Sequence, residues 1–593
     1  MGMSSDKEEV SAVVKISRRK FLGISTAAAV GGIVAGVIVG AVGGYLAGQS
    51  TAQTTTVTET VTEAARTVTE TKTVTQAAQT VTTTVTQPTT ITVTQTVTAT
   101  TVAPPKLSRV IVAWPFEIVT LHPYKFSRNM PSESPMDAIY DRFLTQDINL
   151  KLQPNVIEKY EWMNPEKTRI DFTIRRGIKF HDGTELTAED VAFSFSEMKK
   201  GAYAATWGNM EVIEVASPTL VKVTLKKYDP SLIAWLAFLD AFVVPKDYWE
   251  KVGPDEFSKK PIGSGPYKVK SYKPGLLELT AFEDYWRGPP VIKEVVFKEV
   301  LDPRSRAVEV EAGTSDFTIA VDVADYDRLA ALPHLTGKKA FVTDVAILMI
   351  PTYYPETGDE NVRLAMHYAI DKEALVRDVL LGFGRPVYTT EAPGYMAYDP
   401  NYVFPYDPAK AKELLAKSGY STEKPVKITA ATLKGNVPRD YEVMQAIVGM
   451  WKKVGIEASL EVITLAQHFE LRNTGKMKHV HFYPWSNATG DPVNSVGYSQ
   501  WPNSPFSTWR GLKAANLTDY SGLMEEATAI IEPVFTEKDE EVRIAKATEA
   551  AKWVVEHGLV IPLYQLATPY LMKKEITYEP WPQGFVRPYY MKA

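Results

Sequence analysis

Residues 172–193 read FTIRRGIKFHDGTELTAEDVAF, and the order of side chains in this stretch decides the fold. Its first three residues alternate between apolar and polar, as in a half-buried strand. Asp182-Gly183 is a turn sequence, because glycine reaches backbone conformations that other residues avoid. Thr187 and Asp190 have the spacing of a capping box, which opens a helix. The stretch therefore predicts a strand–turn–strand–turn–helix unit.

The histidine and aspartate of this stretch, His181 and Asp182, form a pattern that also occurs in catalytic and metal sites. A zinc site needs three or four protein ligands. The sequence has no second histidine nearby and no cysteine among its 593 residues. We therefore assign His181, Asp182 and Gly183 to a structural turn, and we predict no catalytic residue, metal or other cofactor.

Further stretches flank residues 172–193 in a fixed order: Gln153–Val156 with Trp162, Pro261–Tyr267 with Gly263 and Gly265, Asp284–Gly288, Glu311–Asp316 and Asn361–Glu373. Together they resemble the signatures of extracytoplasmic solute-binding protein family 5, the receptors of peptide- and oligosaccharide-importing ABC transporters. The matches cover most of residues 107–593. With the stalk described below, the chain is similar to archaeal members of that family.

The resemblance implies an α/β architecture: the two-lobed periplasmic-binding-protein fold, type II, of the large class with an extra subdomain inserted in lobe I. Alternating helix and strand patterns after residue 105 also indicate a mixed α/β fold. The ligand would be enclosed between the lobes by hinge closure. We expect lobe I at 107–150, 263–340 and 563–593, the inserted subdomain at 151–262, and lobe II at 341–562.

The resemblance further implies a monomeric receptor, not an enzyme, that delivers a small solute to a permease and a separate ATPase. The residues agree, because the motifs of zinc proteases, serine hydrolases and phosphate-binding loops are missing from the sequence. The net charge is −5 and no basic block occurs in the globular part, which excludes nucleic acid as a partner. An adhesive surface protein would show repeated domains, and none is visible.

The ligand is the open question, and residues 485–492 bear on it. In peptide receptors of the family, a Trp-x-x-Asp-x-x-Asp/Glu-Pro segment supplies an aspartate that pairs with the α-amine of the peptide. Here Ala488 stands at that position, while Asp491 matches the structural acid before proline. A buried ammonium without a carboxylate is costly. Peptides with a free N-terminus are therefore disfavoured.

Aromatic and amide side chains near Ala488 suit sugars, whose C–H faces pack on rings while their hydroxyls need hydrogen bonds. The side chains expected to bind are Tyr483, Trp485, Asn487, Trp501 and Trp509, with Trp114 on the opposite wall. The alternative for the last three is a place in the hydrophobic core. We therefore predict an oligosaccharide receptor, with a peptide or other small solute as the alternative.

The N-terminus has the order of an export signal. Arg18 and Arg19 resemble the twin-arginine consensus, and they precede an uncharged, mostly apolar run at 21–49. The run is long enough to cross a bilayer. We therefore expect residues 1–49 to anchor the chain with the rest outside the cell, although residues 50–52 would also serve as a cleavage site.

Residues 50–106 are a low-complexity segment rich in threonine and valine, with Thr-Val-Thr recurring. We predict a surface stalk; the alternative is a β-structured segment, since both residue types favour strands. Asn487 and Asn516 both begin N-glycosylation sequons. Asn516 is the better acceptor, because a glycan on Asn487 would obstruct the expected cleft. The lack of cysteine excludes a lipid anchor on an N-terminal cysteine and any disulfide.

Overall fold

The computed structural model describes residues 107–125 and 133–593 in full. Before residue 107 it describes only the backbone of a few strands, and the predicted signal at Arg18 and Arg19 lies outside the described residues. Strands within the predicted stalk pair antiparallel: Gln53–Val61 with Ile91–Ala99, and Thr71–Gln76 with Gln79–Thr84, while Gly36–Val37 pairs with Gln53–Val61. In the described part of the chain, no helix has the length and apolar character needed to cross a membrane.

One large mixed sheet runs through both lobes. Its strands lie, from one edge to the other, in the order Tyr267–Lys273, Leu276–Ala281, Glu294–Glu299, Arg109–Trp114, Phe317–Ile319, Val560–Lys573, Leu335–Met349, Val480–Ser486, Val426–Thr432 and Ile456–Val462, with Gly384–Pro386 also paired to Val560–Lys573. Parallel pairs occur on both sides of the two long central strands, and helices follow these strands in the chain. The architecture is therefore mixed α/β, as the sequence predicted.

The two long strands, Leu335–Met349 and Val560–Lys573, join the lobes. Their antiparallel pairing is continuous up to Phe341, is interrupted, and resumes at Val345. Residues 335–341 belong to the lobe I side of the sheet and residues 345–349 to the lobe II side. An interruption of backbone pairing leaves a ladder free to bend, so residues 342–344 are the natural hinge.

A separate four-stranded antiparallel sheet lies within the range expected for the inserted subdomain, in the order Met210–Ser217, Leu220–Leu225, Arg169–Ile174 and Ile157–Trp162. Thr187 caps helix Ala188–Met198 through the predicted capping box with Asp190. The predicted second strand before the helix is only an isolated bridge between Lys179 and Glu185. Backbone groups beside the bridge bond elsewhere: the N–H of His181 donates to the Gly263 carbonyl, and that of Ala188 donates to the Pro218 carbonyl. A short hairpin of Leu144–Gln146 with Leu152–Pro154 precedes this sheet.

Helices cover the sheets and the lobe edges. Those of lobe I and its inserted subdomain are Ser134–Ile139, Ala188–Met198, Ala204–Trp207, Leu232–Trp235, Lys246–Val252, Pro254–Lys259, Pro303–Glu311 and Val323–Ala330. Those of lobe II are Pro355–Gly358, Glu360–Tyr368, Lys372–Ala374, Pro408–Lys417, Asp440–Lys452, Leu465–Asn473, Tyr498–Gln500, Thr508–Ala514, Met524–Ile531, Pro533–Thr536 and Glu540–Glu556. π-helical turns span Leu375–Val379 and Val493–Gly497, and a 3₁₀ turn spans Pro588–Tyr590.

Each lobe has its own hydrophobic core. The main core of lobe I includes Trp114, Phe172, Tyr267 and Phe297. One core of lobe II gathers Met366, Trp451 and Phe482, and a second gathers Trp485, Trp509 and Val554. Separate cores allow the lobes to move as rigid bodies about the hinge strands.

Candidate functional site

A cavity of about 550 Å³ lies between the inserted subdomain and lobe II. Its wall is mostly aromatic: Tyr203, Thr206, Trp235 and Leu239 come from the inserted subdomain, and Phe469, Arg472, Asn473, Tyr483, Trp485, Ser486, Asn494, Tyr498 and Phe506 from lobe II. Small-molecule sites are concave, largely apolar and of this size. Because both lobes contribute, closure about the hinge would complete the wall.

Tyr483 and Trp485, two of the predicted binding residues, lie on this wall. They sit two apart on strand Val480–Ser486 and therefore point to the same side. The Trp485 indole Nε1 donates to the carbonyl of Asn494 over 2.7 Å. The two rings meet edge to face with centroids 6.0 Å apart. The hydrogen bond fixes the indole so that its ring faces the cavity.

Two buried histidines support Tyr483 from behind. The ring of His468 stacks on Tyr483 with centroids 4.5 Å apart. His481 Nε2 accepts from the Lys478 backbone at 2.7 Å, so its Nδ1 carries the proton and donates to His468 Nδ1 at 3.4 Å. Burial lowers the pKa of both histidines to about 3. The pair is therefore neutral and acts as a rigid polar backing for the wall.

Arg472 was not predicted from the sequence and is the charged residue of the cavity wall. It lies in the last turn of helix Leu465–Asn473, with only 6% of its surface exposed. Its guanidinium stands 5.1 Å from the ring centre of Phe469 and 5.5 Å from that of Phe506. Nε has no hydrogen-bond partner among the described residues. The helix spacing of Phe469, Arg472 and Asn473 places all three on one face.

Asp344 lies close to the cavity but does not line it. It belongs to the hinge, and one of its carboxylate oxygens accepts a hydrogen bond from the hydroxyl of Ser486, which does line the cavity. Burial raises the pKa of Asp344 to about 6. A carboxylate at the hinge is thus linked to the ligand space by one serine hydroxyl.

The loop that carries Ala488 contacts lobe I and does not line the cavity. Ala488 is 1% exposed and packs into the core of lobe I. Its carbonyl accepts from Nε2 of Gln583 at 3.4 Å, and the carbonyl of Thr489 accepts from Nε2 of Gln146 at 3.0 Å. The position that binds an amine in peptide receptors therefore serves here as a contact between lobes.

Asn487 and Asp491 stabilise the same loop. Asn487 is fully buried, donates from Nδ2 to the carbonyl of Asp491 at 3.1 Å, and accepts from the Thr489 hydroxyl at 3.1 Å. Asp491 forms a buried two-point ion pair with Arg543, at 2.9 and 2.7 Å. Both side chains are thus occupied within the protein.

The remaining predicted aromatics lie away from the cavity. Trp114 is fully buried in the core of lobe I, edge-on to Phe116 and Phe297. Trp509 is buried in a lobe II core, and Trp501 packs on Phe535 with ring centres 4.4 Å apart. None of the three lines the cavity. Trp114 and Trp509 lie in hydrophobic cores, and Trp501 packs against one, which was the alternative interpretation of these three residues.

His181 joins its own motif to glycines that lie 82 and 84 residues further along the sequence. Its Nδ1 accepts from the Gly263 backbone at 3.2 Å, so Nε2 carries the proton and donates to the Gly265 carbonyl at 3.0 Å. A side chain on Gly263 would place Cβ 2.0 Å from the Ile139 carbonyl. Asp182 accepts from the backbone and hydroxyl of Thr184. These residues form a structural junction at the edge of the inserted subdomain.

Comparison with known proteins shows the family to which the chain belongs. A model described as bacterial extracellular solute-binding proteins, family 5, middle, matches residues 151–503. Heme-binding protein A of Haemophilus influenzae is 25% identical over 446 residues, covering 69% of this chain and 79% of that protein. Oligopeptide-binding protein AppA of Bacillus subtilis is 30% identical over 331 residues, covering 51% of this chain and 60% of AppA.

The solved structure of AppA in complex with a nonapeptide shares the fold, with a TM-score of 0.65, 23% identity, and coverage of 83% of this chain and 99% of AppA. The structural likeness shows the two-lobed, type II periplasmic-binding-protein fold, as predicted, and the family match shows a solute-binding receptor. The chain belongs to family 5 of the bacterial extracellular solute-binding proteins. Its members are receptors of ABC transporters and not enzymes, which confirms the sequence-based prediction.

Proposed function

We propose that this receptor binds a short peptide or a peptide-like solute and delivers it to an ABC permease. The observation that carries the proposal is a largely aromatic wall that also carries amide and hydroxyl side chains, those of Asn473, Asn494 and Thr206. A peptide backbone offers the matching N–H and C=O groups.

The proposed ligand is the alternative of the sequence analysis, a peptide, and replaces the predicted oligosaccharide. The relatives reported above are named for binding heme and oligopeptides, and neither name refers to a sugar. Three of the aromatics invoked for sugar stacking, Trp114, Trp501 and Trp509, lie outside the cavity. The remaining rings form an apolar wall that suits peptide side chains equally well.

The part of the proposal that concerns location keeps the predicted anchor at 1–49 and the stalk at 50–106. A monomer held outside the membrane in this way would collect solute for the permease and its ATPase partner. Asn516 has a left-handed backbone (φ 51°). Its side chain is exposed, which leaves its amide accessible to a glycan. Asn487 is fully buried. Glycan analysis of protein from its source would test the Asn516 assignment.

The function is tested by titrating the full chain with di- and tripeptides and with di- and trisaccharides while recording tryptophan fluorescence. Trp235 and Trp485 line the cavity, so their emission reports its occupancy. We expect a saturable change with peptides and none with saccharides. A saturable response to saccharides, with none to peptides, would restore the oligosaccharide receptor.

A further inference from the structure

We infer, building on the proposed function, that the receptor holds its ligand by a carboxylate bound to Arg472 and does not need a free amine on that ligand. The inference names the end of a peptide that is recognised. It also assigns a specificity role to a side chain with no counterpart in the motifs of the sequence.

The side chains that line the cavity carry positive charge only. Among the residues that line it, Arg472 is the charged one, and none is an aspartate or glutamate. The nearest carboxylate described above, Asp344, stands behind Ser486 and is hydrogen-bonded to its hydroxyl. A ligand in this cavity therefore meets a positive group on the wall and no negative group.

Arg472 differs from the other buried arginines in having no partner. Arg142 pairs with two carboxylates, at 2.8 and 2.5 Å, and Arg543 with Asp491. Arg306 and Arg363 each donate to several backbone carbonyls. Among the described residues, Arg472 forms no ion pair with a carboxylate, and its buried Nε has no hydrogen-bond acceptor. A buried cation without a counter-charge is costly to a fold, so a partner from the ligand is the physical expectation.

The surroundings of Arg472 favour a carboxylate over other acceptors. Phe469 and Phe506 flank the guanidinium, and the Arg472 side chain is buried, so a charge–charge contact there is screened less than in water. A planar guanidinium offers two parallel N–H donors that fit the two oxygens of a carboxylate. Burial lowers the pKa of Arg472, and the charge of nearby Arg510 acts in the same direction. A bound carboxylate would relieve both effects.

The amine end of a peptide has no comparable site. Ala488 replaces the aspartate that binds an amine in peptide receptors, and its side chain packs into lobe I. The cavity wall otherwise carries amide, hydroxyl and indole groups and rings. Neutral N-terminal groups, such as an acetyl amide, therefore suit this wall better than an ammonium does.

The inference is tested on the full chain with tripeptides of Ala, Leu and Phe in three forms: free, N-acetylated and C-amidated. A second set contains non-peptide carboxylates, 3-phenylpropanoate and indole-3-acetate, with their amides. We expect N-acetylation to change Kd by less than about 3-fold and amidation to weaken binding on the order of 100-fold. The comparison of acid with amide on the unmodified protein needs no variant.

Variants then locate the contact. Arg472→Gln should weaken acids on the order of 100-fold and bind acids and amides alike, while Arg472→Lys should lie between, because it keeps the charge but loses the planar fork. Arg510→Gln is the matched control: it removes a nearby exposed arginine that does not line the cavity, so the preference for acids over amides should remain. Circular dichroism and thermal unfolding verify that each variant is folded.

Several results would overturn the inference: amides that bind as tightly as acids, N-acetylated peptides that do not bind, or a protein that binds no carboxylate of either set. Failure of the proposed function looks different. In that case the non-peptide carboxylates bind and lose affinity in Arg472→Gln, while no tripeptide binds, which supports the role of Arg472 and removes the peptide.

Discussion

Nε2 of Gln583, in lobe I, donates a hydrogen bond to the carbonyl of Ala488, in lobe II, over 3.4 Å. Around this bond the side chain of Ala488 is enclosed by the core of lobe I. The contact at position 488 therefore depends on closure of the lobes. The opposite lobe restricts the size and charge of the side chain at this position.

Ala488→Asp tests this restriction. Restoring the aspartate of peptide receptors would bury an unpaired carboxylate in an apolar core, at a cost of several kcal/mol. We expect the lobes to stay apart, with a larger radius of gyration by small-angle X-ray scattering and weaker ligand binding. Ala488→Gly, which adds neither bulk nor charge, is the control and should scatter like the unmodified protein. Tighter binding of free peptides by Ala488→Asp would contradict the lobe-contact role.

The ion pair of Asp491 with Arg543 should contribute strongly to the free energy of unfolding. Arg543→Met leaves a buried carboxylate without a partner, and we expect the free energy of unfolding to fall by about 3–5 kcal/mol in urea titrations. Asp491→Asn combined with Arg543→Met removes both charges and should recover part of the loss. A double variant as unstable as the sum of the single variants would show that the charges do not interact.

Replacing Arg472 should stabilise the ligand-free protein. Arg472→Met removes a buried cation that has no partner among the described residues while keeping the apolar stem. We expect the free energy of unfolding to rise by about 1–2 kcal/mol. Arg510→Met, on an exposed residue, should change it by less than about 0.5 kcal/mol. A drop in stability for Arg472→Met would indicate a structural arginine instead of a ligand-binding one.

His181 should make the fold sensitive to acid. Burial lowers its pKa to about 4, whereas in the unfolded chain a histidine titrates near 6.5. The folded protein thus keeps His181 neutral, so its stability is intact above pH 6.5 and falls as the pH approaches 4. The difference corresponds to about 3 kcal/mol.

Urea midpoints measured from pH 4 to pH 7 test this dependence. His181→Gln should be less stable at pH 7, because its bonds to Gly263 and Gly265 are altered, but its stability should change less with pH. His334→Gln, at an exposed histidine, is the control and should follow the unmodified protein. Equal pH dependence in His181→Gln and the unmodified protein would exclude His181 as the titrating group.

Much of the fold could be predicted because its signals are local. The capping box of Thr187 and Asp190 needs only the residues between them, and it forms as expected. The second strand of the same unit was wrong in extent, since whether a ladder continues beyond one bridge depends on neighbours distant in sequence. The meeting of His181 with Gly263 and Gly265 is not visible in either stretch, although both were recognised as motifs.

The site was harder to predict than the fold. Tyr483 and Trp485 were found because Trp485 opens a recognisable segment and Tyr483 lies two residues before it, and both line the cavity. Arg472 lies in the sequence FELRNTG, where nothing marks it as buried. Its burial comes from Phe506 and Tyr483, which other parts of the chain bring to it. A helix position becomes a binding residue here only through tertiary packing.

The hinge at residues 342–344 is hydrogen-bonded to both lobes. The backbone N–H of Thr343 donates to the Pro582 carbonyl at 2.7 Å, and its carbonyl accepts from Asn487 at 2.8 Å. Together with the bonds of Gln146 and Gln583 they amount to a few kcal/mol, since each contributes about 1 kcal/mol net. A free-energy difference of a few kcal/mol between the closed and open arrangements leaves a minor open population under thermal motion. Opening and closing about this hinge therefore needs no external energy source, since thermal motion supplies it.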